Sequence, residues 1–172
     1  MWADFWFAAA IVAPSIILHE FGHKFTAMAF GMGATFNAPL SIRHILNPSL
    51  IFHDFLALLM LFIIISRIFH WGKFIFFVPA YTTITSGAIV LQSAAAIALQ
   101  SAAISFAGPA VNLIIWLVSL LVLKKAKKLK PDKYHFFFLL SRINMFLFIF
   151  NMLPIPMFDG YGVFSNLVKV IF

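Results

Sequence analysis

The segment from residue 5 to residue 30 is apolar and long enough to cross about 30 Å of hydrocarbon, yet its second half carries His19-Glu20-Phe21-Gly22-His23. Backbone polar groups at membrane depth must be satisfied within the segment, so this stretch has to be a helix. On a helix, residues four apart lie one above the other. His19 and His23 can therefore bind one metal ion, with Glu20 beside it to handle a proton. An ionisable cluster at that depth costs roughly 2.5–3.5 kcal/mol per group on insertion scales, a cost seldom accepted without a use. Everything else in the chain has to be arranged around it.

The rest of the composition agrees with a membrane setting. With 63% hydrophobic residues, 23 phenylalanines and 10% charged residues in 172, the chain is too short for several domains and too apolar for a soluble one. The expected fold is an all-α polytopic membrane protein with about four to six transmembrane segments and a short strand or re-entrant element after the first span. The net charge of +7 does not imply nucleic acid, because the lysines at 124, 125, 127, 128, 130 and 133 are half of the twelve basic residues and sit between two apolar segments. No nucleic-acid partner is expected, while contact of this loop with anionic lipid is in keeping. The absence of cysteine leaves metal binding to His, Asp and Glu. The first segment is not a cleaved signal peptide, since it opens with Asp4 and contains the metal motif.

Along the chain, Gly31-Met32-Gly33 stops the first span. Residues 34–50, with Pro39 and Pro48, are too broken for a helix, and 34–43 suit a short strand or membrane-dipping loop. A second apolar run at 51–69 ends in a border of Arg67, His70, Trp71 and Lys73. Residues 74–81 are strand-like around Pro79, and 88–100 are weakly apolar and suited to helix. The next span, 101–123, places Gly108 and Asn112 on one face, as close helix packing favours, with Pro109 loosening that turn. The final span, 134–153, runs into Pro154-Ile155-Pro156-Met157-Phe158-Asp159-Gly160, where two prolines end the helix and leave Asp159 on unwound backbone. Residues 161–172 suit a short helix.

A hydrolytic zinc site needs three protein ligands and an open position, so two histidines leave one ligand to find. Glu20 is the only glutamate, and Asp4, Asp54 and Asp132 lie near span ends. Asp159, set in a rigid Pro-Pro-Gly turn, is the best third ligand. With water activated by zinc, Glu20 can carry the proton while an asparagine amide stabilises the oxyanion, which is the chemistry of peptide hydrolysis.

Three blocks together resemble the site-2 proteases, intramembrane zinc metalloproteases: His19-Glu20-Phe21-Gly22-His23, Gly108-Pro109-Ala110-Val111-Asn112, and the run Asn151-Met152-Leu153-Pro154-Ile155-Pro156-Met157-Phe158-Asp159-Gly160. The resemblance implies one Zn2+ on His19, His23 and Asp159, Glu20 as catalytic base, and Asn151 and Asn112 as helpers near the substrate backbone. It implies a single transmembrane metalloprotease domain over 1–172, without a PDZ or CBS domain. The implied substrate is a transmembrane protein in a lipid bilayer, whose spanning helix is locally unwound and held by strand addition to residues 34–43. A multi-pass protein of the cell membrane is the expected location. The family arrangement requires an even number of crossings between residues 31 and 100, so that 51–69 either pairs with a second crossing at 74–100, the favoured reading, or dips into the membrane and returns. The positive-inside rule puts the lysine loop in the cytoplasm and the motif helices' C-terminal ends outside, whereas the family arrangement opens the site toward the cytoplasm.

Other polar residues read more plainly. Asn144 suits interhelical hydrogen bonding, Arg142 suits snorkelling toward the lysine side, and His44, His53, His70 and His135 fall at span boundaries. The alternative to an enzyme is a membrane scaffold that keeps the fold without turnover.

Overall fold

Helix α1 (Trp2–Ala29) ends because glycine lets the chain turn back: Gly31 has φ +76°, its N–H donates to the Met28 carbonyl, and the Met32 N–H donates to that of Ala27. These two bonds make a Schellman motif, which satisfies the last carbonyls of the helix. The computed structural model describes residues 2–37, 42–52, 57, 61, 81–85, 93–125 and 129–172. After α1 come β1 (Gly33–Asn37), α2 (Ile42–Leu46), a 3-10 turn (Pro48–Phe52) and β2 (Tyr81–Thr85). Then follow α3 (Ala94–Lys125), α4 (Pro131–Asn151) and α5 (Asp159–Ile171).

The described chain forms two compact units, one of Met1–Ala34 with Ile84–Phe172, the other Thr35–Thr83. In the first, α3 is central and packs on α1, α4 and α5, while α1 also touches α4. Phe7 of α1 stacks on His135 of α4 with ring centroids 5.5 Å apart. The second unit holds α2 and the 3-10 turn, short helical pieces within a region whose prolines predict none. The two strands pair as a two-stranded sheet, with Thr85 Oγ1 donating to the Gly33 carbonyl and Asn37 Nδ2 donating to Thr83 Oγ1.

The distribution of polarity within the first unit is inverted relative to a water-soluble protein. Ser15, His19, His23, Asn112, Ser119, Ser141 and Asn144 are buried, whereas Ile114, Leu117, Leu121, Phe146 and Ile149 face outward. Outward apolar faces of this kind mark contact with a membrane or another protein. Among the described residues, α3 and α4 are the helices long and apolar enough to cross a membrane.

Several expected boundaries shift. Helix α3 begins earlier than the span at 101–123 because the small, weakly apolar residues before it are good helix formers and continue the same turn. Pro131 opens α4 at a first-turn position, where its missing N–H costs nothing. The expected strand at 34–43 is β1, one residue earlier at its start, and residues 38–41 lie outside the described set. The strand expected at 74–81 overlaps β2 only at Tyr81, and 74–80 also lie outside. Nearly all of the apolar run at 51–69 is outside as well.

Candidate metal centre

Every fourth residue of α1 from Ile11 to Ala27 is buried, namely Ile11, Ser15, His19, His23 and Ala27. This stripe faces α3, where Ile104, Gly108 and Asn112 repeat the same spacing. Gly22 allows the helices to meet closely, since a Cβ there would lie 2.7 Å from the Ala107 carbonyl oxygen.

Within this contact both imidazoles have fixed orientations. His23 Nδ1 lies 2.7 Å from the carbonyl oxygen of Ile104, which can only accept, so Nδ1 carries the hydrogen. His19 Nδ1 lies 2.6 Å from Asn112 Oδ1 and donates to it likewise. Each Nε2 is thereby left with its lone pair, and the two Nε2 atoms stand 3.1 Å apart. Pro109 explains part of the arrangement on α3. It removes the hydrogen bond to the Ser105 carbonyl and crowds the turn next to Ile104.

The third group arrives from the far end of the chain. After α4 stops at Asn151, Ile155-Pro156-Met157-Phe158 makes a turn in which the Phe158 N–H donates to the Ile155 carbonyl at 3.1 Å. Proline in its second position and φ +88° at Met157 in its third are the type II pattern. Asp159 then begins α5, so the expected unwound backbone ends one residue before it. A carboxylate in this position is favoured by the helix dipole. Its Oδ2 lies 3.0 Å from His19 Nε2 and its Oδ1 3.3 Å from His23 Nε2.

These donor atoms all lie within 4.8 Å of one another, and the two histidines are buried. The space beside them is kept by Gly108, because a Cβ there would collide with both Nε2 atoms. Two imidazole nitrogens with available lone pairs, one carboxylate and a glycine that leaves their side uncrowded suit a zinc ion with a further coordination position.

Of the other expected residues, Glu20 is half-buried on α1 and lies within electrostatic reach of His23. Asn151 is half-buried as the last residue of α4. Asn112, expected as a helper near the substrate backbone, is 0% exposed, with its oxygen on His19 and its nitrogen donating to Asn144 Oδ1 at 3.0 Å. Ser15 and Asn144 are buried members of the same network and are not among the expected site residues. Ser15 has a sequence signal, lying one turn before His19 on the motif face.

A His-His-Asp cluster with both histidines buried, inside an apolar helical unit, is a candidate metal centre. The chain is a relative of the site-2-protease-like zinc metalloproteases. It is 36% identical over 154 residues to "Putative zinc metalloprotease Rip2" of Mycolicibacterium smegmatis, a match covering 86% of this chain and 52% of that protein. It is also 36% identical over 78 residues to "Putative zinc metalloprotease YwhC" of Bacillus subtilis, covering 41% of this chain and 36% of that protein. The chain thus spans about half the length of the first of these relatives and about a third of the second. No protein-family profile and no solved structure matches it.

Proposed function

We propose that this chain is the catalytic core of an intramembrane zinc endopeptidase that cleaves peptide bonds within or near transmembrane helices of membrane-protein substrates. The observation that carries the reading is the convergence of His19 Nε2, His23 Nε2 and the Asp159 carboxylate, with both Nδ1 atoms held from behind. The names of the two relatives support the same chemistry. Four to six membrane crossings and a multi-pass location in the cell membrane belong to this proposal, supported by the apolar outer faces of α3 and α4.

His19, His23 and Asp159 would hold the ion, which when bound would supply a Lewis acid for the scissile carbonyl and lower the pKa of water. Glu20, on the same helix as both histidines, takes the proton of the attacking water and passes it to the departing amine. Asn151 is assigned the amide that steadies the developing oxyanion. Burial of the two histidines strengthens the interactions they make. The β1–β2 pair offers a sheet edge for addition of an unwound substrate segment.

The deciding experiment is Glu20→Gln in purified protein reconstituted with a membrane-helix substrate. Zinc content should stay at one per chain while cleavage falls by about 10²–10⁴-fold, the range for loss of a general base. Unchanged cleavage removes Glu20 from the mechanism. Stoichiometric zinc with no cleavage by the unsubstituted protein favours the scaffold reading.

A further inference from the structure

We propose that Asn144 is a positioning residue for the metal centre: by fixing which way the Asn112 amide points, it holds His19 in the tautomer that turns Nε2 toward the ion. This rests on reading His19, His23 and Asp159 as a metal site.

The two histidines are held by different means. His23 donates to a backbone carbonyl, which cannot be reversed. His19 faces a side-chain amide, which could present either end. An inverted Asn112 would turn its NH2 toward Nδ1, move the imidazole hydrogen to Nε2 and occupy the ligand lone pair. Something must prevent that inversion.

The polarity is set on α4 itself. Asn144 Nδ2 lies 2.9 Å from the Leu140 carbonyl oxygen, an acceptor only, so the nitrogen belongs on that side. Its other hydrogen goes to Ser15 Oγ at 3.0 Å, and the Ser15 hydroxyl is itself committed as donor to the Ile11 carbonyl at 2.8 Å. Asn144 Oδ1 is then left facing Asn112 as an acceptor, which requires Asn112 to present Nδ2 there and Oδ1 to His19. The Asn112 nitrogen also points toward the Ser15 carbonyl at 3.5 Å, in the same sense. Asn112 and Asn144 are each 0% exposed and Ser15 is 2%, so water does not substitute for a missing partner. The chain of donors runs one way from His19 to carbonyls of α1 and α4.

The test compares zinc affinity by chelator competition in Asn144→Leu and Asn144→Asp, using the full chain in detergent. Asn144→Leu should bind zinc about 10–100-fold more weakly, the usual loss when the partner behind a ligand is removed. Asn144→Asp, protonated in its buried site, keeps an acceptor for Asn112 and a donor for Leu140, and should return affinity to within a few-fold of the unsubstituted protein. A second readout is the far-downfield His19 Nδ1–H signal of the zinc-loaded protein, protected from exchange in the unsubstituted chain and lost in Asn144→Leu. A packing role alone would lower thermal stability and move neither readout. Ser141→Ala, which removes another buried hydroxyl of α4, is the control for that case. Unchanged affinity in Asn144→Leu, or an aspartate variant as weak as the leucine one, overturns the proposal. If leucine prevents folding, Asn144→Ala carries the same expectations. His19→Ala separates the two levels: full zinc retention there sinks the metal site itself, whereas zinc loss there with an unaffected Asn144→Leu sinks only the positioning role.

Discussion

Gly108 stands directly against Nε2 of His23, so α3 approaches the metal-binding face of α1 as closely as a bare backbone allows. Gly108→Ala should therefore drive a methyl group into both ligand nitrogens and push the imidazoles out of place. The expected result is zinc binding about 10–100-fold weaker by chelator competition, with helical content by circular dichroism unchanged. Full zinc occupancy in this variant would mean that the ion sits elsewhere.

Asp159 joins the start of α5 to the histidines of α1, so an ion held there links two separate parts of the first unit. Asp159→Ala should lose stoichiometric zinc. With free zinc at about 100 times the dissociation constant, the unsubstituted protein gains about 2.7 kcal/mol over its metal-free form. A chelator should thus lower its melting midpoint and leave that of Asp159→Ala in place. Equal midpoints with and without metal in the unsubstituted protein would contradict the linkage.

Met157 occupies a turn position suited to glycine, with φ +88° and 80% exposure. Met157→Asn, a residue that tolerates positive φ, should stabilise the protein by about 0.5–1 kcal/mol in denaturant titrations. Zinc stoichiometry should be unchanged, because the side chain points away into the surroundings. A loss of stability would show that the side chain makes a contact outweighing the strain.

Gly22 meets the backbone of Ala107, and a backbone atom cannot rotate away. Gly22→Ala should force α1 and α3 apart and cost about 1–3 kcal/mol of stability. Zinc affinity should fall with it, since His23 would draw back from the Ile104 carbonyl. A thermal midpoint equal to that of the unsubstituted chain would show that the interface gives way elsewhere.

Much of this site could be read from local spacing. The His-x-x-x-His repeat places two rings on one helical face whatever surrounds them, and Gly31 and the paired prolines mark ends that the backbone obeys. Asp159 stood out because few acids were available and only one followed a rigid turn. The direction of Asn112 was not legible. An amide on a packing face is equally suited to substrate, to glue or to a histidine, and the choice depends on Asn144, which comes from a third helix. Met157 is hidden for a related reason: the type II turn predicts glycine or asparagine at that position, and the chain has neither. The earlier start of α3 reflects weakly apolar residues whose helical state is decided by continuity with the strong segment after them.

The donor set is divided between residues far apart in the sequence, and this has a consequence for biosynthesis. His19 and His23 are made well before Asp159, which follows α3 and α4 in the sequence. At about 5–20 residues per second the interval is on the order of 10 s. Throughout it the nascent chain holds two imidazoles without their carboxylate, and α3, which orients them, is not yet synthesised for most of that time. Completion of the metal centre therefore waits for residue 159, and a product terminated before α5 lacks one ligand of its own centre. A ribosome-stalled chain ending before residue 159 should accordingly retain no zinc after gel filtration, while one released just after α5 should.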